Sequence, residues 1–110
     1  MQHSVTNWHV DRTRAGEWEA IWTQMHELAR ESPGFLQARL LRSVEHPGKF
    51  VAYELWDSHD AWTDYYNLPR MQELTRASFR LLKGPPIQEW FEVVAEAIAD
   101  GVTSALPPSE

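Results

Sequence analysis

Two residues near the middle of the chain, Glu54 and Trp56, have the types and spacing needed for acid–base chemistry beside a flat ligand. Side chains alternate along a strand, so residues two apart face the same side. A carboxylate beneath helices must be paired or protonated, and such groups cluster at functional sites. We predict that Glu54 accepts a proton and that Trp56 forms a flat wall. The alternatives are an ion pair between Glu54 and Arg39 and a plain core position for Trp56.

A second pair with this spacing, Asn7 and His9, stands near the start of the chain. A histidine can act as a base near neutral pH, and an asparagine amide can donate a hydrogen bond to a developing oxyanion. The alternatives are an exposed His9 at the end of its strand and an Asn7 amide that satisfies a neighbouring strand or turn.

Four aromatic residues are candidates for contacting a ligand. Trp18 and Trp22 lie with Met25 on the apolar side of an amphipathic helical pattern, where a core role comes first and ligand contact second. Tyr65 and Tyr66 are adjacent on a predicted helix, about 100° apart, so we expect only one of them to face a pocket. Its phenol could bind a substrate oxygen, and simple packing is the alternative.

Several kinds of functional site are excluded because the sequence lacks the residues or motifs that they require. There is no cysteine, which excludes disulfides, thiolate metal sites and a cysteine nucleophile. The glycines form neither a phosphate loop nor a dinucleotide fingerprint, and there is no Gly-x-Ser-x-Gly motif. No metal-binding spacing occurs among the five histidines, which are His3, His9, His26, His46 and His59. We therefore predict no metal and no cofactor.

The size and charge indicate one ordinary globular domain. The chain has 110 residues, of which 43% are apolar, and a net charge of −6 that disfavours binding to nucleic acid. We predict a single domain at 1–105 and a flexible tail at 106–110. No apolar run approaches the ~20 residues of a membrane span, and the first residues lack the pattern of a signal peptide. The expected location is the cytoplasm.

The elements that position these residues follow the order β-α-β-β-α-β. Strands are predicted at 4–10, 35–44, 49–56 and 87–94, with a turn at 45–48. A first helix is predicted from about 13 to the Ser32-Pro33-Gly34 stop. A second helical region is predicted from 57 to about 83, with an interruption at Pro69, and a short helix at 95–99. This order is typical of the ferredoxin-like α+β fold, a four-stranded antiparallel sheet with its helices on one face.

The predicted strands are apolar on both faces. On the third strand Phe50 and Ala52 point to one side, and Val51 and Tyr53 point to the other. A sheet with one wet face should carry polar residues on that face. Because the helices cover only one face, we predict that an identical subunit covers the second one, which makes a homodimer.

The run from Phe50 to Ser58, followed by Ala61-Trp62 and Tyr65-Tyr66, resembles the antibiotic biosynthesis monooxygenase family, as does the Ser32-Pro33-Gly34-Phe35 joint. The resemblance covers roughly Ser4 to Val94. It implies a dimeric α+β barrel with a pocket between the sheet and the helices of each subunit. The family includes cofactor-independent oxygenases of quinols and anthrones, haem-degrading enzymes and proteins with no established activity.

On this resemblance, Asn7 stands where several members place a pocket asparagine, Trp56 matches the tryptophan that closes the third strand, and Glu54 matches the glutamate two residues earlier. Tyr65 and Arg70 stand near the places where many quinol-oxidising relatives carry histidines. Ala52 replaces the second asparagine of many polyketide-tailoring relatives.

The leading hypothesis is a cofactor-independent monooxygenase that acts on a flat, phenolic, polyketide-like substrate. In it Asn7 holds the anion, Glu54 or His9 accepts the proton, and Trp18, Trp22, Trp56 and one of Tyr65 and Tyr66 form the walls. One alternative is a non-catalytic domain that binds a small aromatic molecule. Another is a haem-binding or haem-degrading protein with Tyr65 or Tyr66 as the iron ligand.

Overall fold

The computed structural model describes residues 1–102. Within these residues, four strands and three helices follow one another: β1 (Gln2–His9), α1 (Ala15–Arg30), β2 (Phe35–Arg42), β3 (Lys49–Trp56), α2 (His59–Tyr66), α3 (Pro69–Phe79) and β4 (Ile87–Phe91), with one 3-10 turn at Arg12–Arg14. The tail predicted at 106–110 lies outside the described residues.

The four strands form one sheet in the order β2-β3-β1-β4, and every neighbouring pair is antiparallel. The two outer strands follow the two helical segments, which is the ferredoxin-like arrangement. The predicted α+β fold is confirmed.

Strand register decides which side chains face the helices. Thr6 of β1 is paired with Ala52 of β3, and both are buried beneath the helices. Phe50 and Trp56 lie on this same face of β3 and are also buried. The residues between them, including Val51 and Tyr53, point to the opposite face because strand side chains alternate.

The first helix forms where the sequence predicts it because its apolar residues recur at helical spacing. Trp18, Met25 and Ala29 are buried on its inner side. The helix is followed by Gly34, whose φ of +85° favours glycine. A β-carbon at Gly34 would stand 2.5 Å from Oδ1 of Asp57 and 2.6 Å from the β-carbon of Ala61. The Ser-Pro-Gly joint is therefore a close approach between the end of α1 and the start of α2.

The predicted second helical region is two helices. Leu68, which precedes Pro69, has an extended backbone with ψ of 137°. Proline disfavours helical geometry in the residue before it, so the chain breaks there and a new helix begins at the proline.

The C-terminal predictions were partly wrong. The fourth strand ends at Phe91 rather than Val94, because Phe91 pairs with His3 and only one residue of β1 remains beyond it. Residues 95–99 are exposed and do not form the predicted helix. A five-residue helix without a buried face has nothing to offset its nucleation cost.

No helix within residues 1–102 is long and apolar enough to cross a membrane.

Candidate functional site

The helix-facing side of the sheet contains a cavity of about 220 Å³. Strands β1, β3 and β4 form its floor, and the three helices form its walls. Its lining comprises Thr6, Trp8, Trp22, Met25, His26, Glu54, Trp62, Tyr65, Tyr66, Met71, Thr75, Phe79, Pro86 and Gln88. The lining is mostly aromatic and apolar, with few polar groups, as in small-molecule sites.

Glu54 is the acidic residue of this cavity, and it is only 9% exposed. Its Oε1 accepts a hydrogen bond from Nε1 of Trp56 at 2.9 Å. The two side chains lie on one face of β3, two residues apart, so the strand itself sets their geometry. One carboxylate oxygen is thus fixed by the core, and the other is left for a different partner.

His26 of α1, which is also 9% exposed, lies beside that second oxygen. Its Nε2 lies 3.4 Å from Oε2 of Glu54. The two atoms are close enough for an ion pair, yet Nε2 makes no hydrogen bond within residues 1–102, because the contact lacks hydrogen-bond geometry. We therefore regard the pair as adjacent but not joined.

The other ring nitrogen of His26 fixes the proton arrangement. Nδ1 lies 2.8 Å from the carbonyl oxygen of Trp22, and a carbonyl can only accept, so Nδ1 carries the hydrogen. In the neutral ring Nε2 is then an acceptor, like the ionised Oε2 of Glu54. Two acceptor atoms therefore lie side by side, and either of them can take a proton.

Tyr65 closes the cavity beside this pair. Its buried hydroxyl donates to the carbonyl oxygen of Met25 at 2.8 Å. Burial, together with the negative charge of Glu54, raises the pKa of Tyr65 far above its usual value. Tyr65 therefore stays neutral, and its hydrogen is already committed to α1.

Two further polar atoms of the lining are buried without a partner in the described part of the chain. They are Nε1 of Trp8 on β1 and Oγ1 of Thr75 on α3. A buried donor that makes no hydrogen bond is costly, so such atoms demand an explanation. With Nε2 of His26, three residues of the lining each carry a buried polar atom that has no partner in the described part of the chain.

Two stacked pairs form the flat walls. The rings of Trp22 and His26 stack at 3.7 Å, and those of Trp62 and Tyr66 stack at 5.0 Å. Each pair is four residues apart on its helix, where side chains meet one above the other. The cavity is therefore bordered by planar surfaces from α1 and α2.

Several residues singled out in the sequence line this cavity: Glu54, Trp22, Tyr65 and Tyr66. Both tyrosines take part, although only one was expected, because Tyr66 reaches the cavity by stacking on Trp62. Trp18 and Trp56 are fully buried behind the lining. Trp18 packs on Phe50 in the core, and Trp56 orients Glu54 instead of forming a wall.

The structure does not bring Asn7 and His9 to this cavity. Thr6 and Trp8 line it, so the alternating Asn7 and His9 lie on the opposite face of the sheet. The alternative ion pair between Glu54 and Arg39 is also absent: Arg39 pairs in register with Tyr53 on that opposite face. The pattern showed which residues share a face of each strand, but not which face the helices cover.

Sequence reasoning missed His26, Trp8 and Thr75. His26 had one available signal, its i, i+4 spacing from Trp22 on the apolar side of the first helix. Trp8 and Thr75 had no comparable signal, because a tryptophan in a strand and a threonine in a helix are ordinary core residues.

The haem alternative loses support at Tyr65. A tyrosine binds iron as the tyrosinate, and burial beside Glu54 opposes ionisation of Tyr65. Within residues 1–102, no three His, Cys, Asp or Glu side chains are grouped so that they could hold a metal ion.

The protein is a ferredoxin-like domain whose helices cover one face of the sheet and enclose an aromatic cavity there. Its residues 1–77 match the model of the antibiotic biosynthesis monooxygenase family. The chain belongs to that family, as the resemblance in its sequence implied.

Solved structures share the fold at low sequence identity. SnoaB, a cofactor-independent oxygenase from Streptomyces nogalater, superposes with a TM-score of 0.77 at 22% identity, over 86% of this chain and 94% of that one. A Caulobacter crescentus protein provisionally described as an antibiotic biosynthesis monooxygenase gives a TM-score of 0.79 at 23% identity, over 86% and 90%. Rv0793 from Mycobacterium tuberculosis gives 0.77 at 18% identity, over 88% and 98%. A comparison with curated protein sequences gave no match.

Proposed function

We propose that this protein is a cofactor-independent monooxygenase that oxidises a small phenolic aromatic of the quinol or anthrone type in the cavity beneath its helices. The observation that carries the proposal is the His26–Glu54 pair, a buried acceptor site for one proton that borders an aromatic cavity. Membership of the antibiotic biosynthesis monooxygenase family and the fold shared with SnoaB support it.

The chemistry needs only a base and a dry, shaped pocket. A phenolic hydroxyl gives its proton to Oε2 of Glu54 or to Nε2 of His26. The resulting anion is electron-rich and reduces O2 directly. For an anthrone, the ring CH2 becomes C=O, one atom of O2 enters that carbonyl, and the other leaves in water with the two hydrogens. The balance requires no reductant besides the substrate.

The aromatic lining has two tasks in this reaction. The stacked pairs Trp22–His26 and Trp62–Tyr66 hold a planar ring system against the base. Their apolar surfaces exclude water, which strengthens the interaction between the anion and nearby donors. Trp56 acts behind them, since its Nε1 holds the Glu54 carboxylate in place.

The test is oxygen consumption by purified, metal-free protein with a panel of quinols and anthrones. Glu54→Gln keeps an acceptor oxygen for Trp56 but removes the base, and we expect turnover to fall by about 100-fold or more. Glu73→Gln is the matched control, because it is the same substitution at an exposed glutamate, which forms an ion pair with Arg70.

Two further variants separate the possible sites. His26→Asn can keep a donor to the carbonyl of Trp22 while losing Nε2, and it should impair turnover as Glu54→Gln does. Asn7→Ala tests the role that the family resemblance implies for Asn7. Turnover lost in Asn7→Ala but retained in Glu54→Gln would move the site to the other face of the sheet. Tight binding of these compounds without oxygen uptake would favour the non-catalytic alternative.

We also propose that the second face of the sheet is covered by an identical subunit. Leu41, Ile87 and Phe91 are about half exposed there. They lie on β2 and β4, the two outer strands of the sheet, and face the side away from the helices. A second copy of the chain packed on this face would remove their apolar surface from water. Sedimentation of wild type and Phe91→Asp tests this, because the charge should shift a dimer towards monomer.

A further inference from the structure

The side chains that carry these unpaired polar atoms arise at different positions along the cavity. Trp8 pairs with Phe50, whereas Glu54 pairs with Ser4, so the two side chains start four residues apart along β1. At about 3.4 Å per residue this separation is about 14 Å. The carboxylate and the Trp8 indole therefore arise from opposite ends of the cavity floor.

The helices repeat the same separation. Trp18 of α1 packs on Trp8, with ring centroids 5.2 Å apart, and His26 stands eight residues further along that helix, about 12 Å at 1.5 Å per residue. On α3, Phe79 contacts the Trp8 ring, whereas Met71 packs in the cluster that contains Trp56 and Tyr65. Thr75 lies one turn from each. The cavity thus has a proton-accepting end at His26 and Glu54, a donor end at Trp8, and Thr75 between them.

Whether each atom donates or accepts a hydrogen bond determines which ligand group can pair with it. An indole Nε1 is only a donor, so the group opposite Trp8 must be an acceptor. Thr75 is only 6% exposed, and its hydroxyl can donate to such a group. The site between His26 and Glu54, by contrast, requires an acidic hydroxyl. One oxygen atom cannot serve both ends.

We infer that Trp8 and Thr75 form a second polar subsite that selects aromatic ligands carrying an acceptor oxygen, such as a ketone, remote from the hydroxyl that ionises. This inference rests on the proposed binding of a small phenolic aromatic in the cavity. The volume of about 220 Å³ is below the roughly 300 Å³ at which sites for drug-sized ligands begin. It favours a compact hydroxyketone of two or three rings over a larger polycyclic compound.

The experiment is anaerobic calorimetric titration of the full chain with three matched bicyclic probes. The first, 6-hydroxy-1-tetralone, carries a hydroxyl and a ketone at opposite ends. The second, 1-tetralone, lacks the hydroxyl, and the third, 5,6,7,8-tetrahydro-2-naphthol, lacks the ketone. We expect one hydrogen bond to a group otherwise left unpaired to give the hydroxyketone about five- to tenfold higher affinity than the naphthol. Because a ketone para to the hydroxyl also makes that hydroxyl more acidic, the hydrogen bond is measured by the part of the preference that Trp8→Phe removes.

Substitutions test whether Trp8 and Thr75 cause this preference for the hydroxyketone. Trp8→Phe keeps an aromatic ring but removes Nε1, and it should reduce the preference for the hydroxyketone by about five- to tenfold while leaving the affinity for the naphthol within about twofold. Thr75→Val should reduce the preference in part. Trp18→Phe is the matched control: its Nε1 is also buried without a partner in the described chain, but Trp18 lies outside the lining.

The inference is overturned if wild type binds the hydroxyketone and the naphthol equally or binds none of the probes. It is also overturned if Trp8→Phe weakens all three alike, or if Trp18→Phe reduces the preference as much as Trp8→Phe does. Oxygen uptake decides the proposed reaction separately. A protein that shows the expected binding pattern but consumes no oxygen would refute the oxygenase and leave the subsite, and the reverse combination would refute only the subsite.

Discussion

Replacing Tyr65 by phenylalanine removes one buried hydroxyl and little else. The phenol donates to the carbonyl oxygen of Met25 at 2.8 Å and thereby ties α2 to α1. Its ring packs on Trp56 and should remain in place, because phenylalanine has almost the same shape. A net hydrogen bond contributes about 1 kcal/mol, so Tyr65→Phe should lower the free energy of unfolding near pH 8 by about that amount.

The dependence of stability on alkaline pH is a second test of the role of Tyr65. Burial raises the pKa of folded Tyr65 above its ordinary value of 10.0, so the unfolded chain loses this proton first. Tyr65 therefore contributes its full stability below pH 10, and the contribution falls as the pH rises towards the folded pKa. With Tyr65 still protonated in the folded protein, the loss is about 0.4 kcal/mol at pH 10 and about 1.4 kcal/mol at pH 11.

The assay is urea unfolding followed by tryptophan fluorescence at pH 8, 10 and 11, at one fixed protein concentration. Other groups titrate in this range in both proteins, so the informative quantity is the difference between wild type and Tyr65→Phe. Wild type should be more stable by about 1 kcal/mol at pH 8, and the difference should vanish or reverse near pH 11. A difference that stays constant from pH 8 to pH 11 would refute the argument that burial holds Tyr65 neutral.

Three further changes have expected outcomes in the same unfolding assay. Gly34→Ala should lower the free energy of unfolding by about 2 kcal/mol, since it forces a β-carbon against Asp57 at positive φ. Gly16→Ala, with open space around the residue, should raise it by about 0.5 kcal/mol. Equal effects of the two substitutions would contradict the steric argument. Ser58→Ala removes the side chain that accepts from the backbone N–H of Ala61 and should cost about 1 kcal/mol, which Ser58→Asp should restore. Trp56→Phe should cost about 3 kcal/mol by leaving Oε1 of Glu54 unpaired, and this cost should shrink in a Glu54→Gln background; an undiminished cost would mean that ring volume alone matters.

The element order and most breaks could be predicted from the sequence because their causes are local. The period of two in β3, the helical stripe of Trp18, Met25 and Ala29, and the Ser32-Pro33-Gly34 stop all act within a few residues. The same local rule placed Glu54 and Trp56 side by side, and their hydrogen bond follows from that spacing.

The tertiary structure alone decided the face and the partners of the site. Alternation divides β1 into two sets of side chains, but only the packing of the helices decides that Thr6 and Trp8 line the cavity and that Asn7 does not. The partner of Glu54 is His26 on a helix, 28 residues earlier in the chain, and not Arg39 on the adjacent strand. A sequence pattern records the period of a side chain along its own element, whereas a buried pair depends on how two elements are rotated and placed against each other. That placement is set by the packing of the whole core.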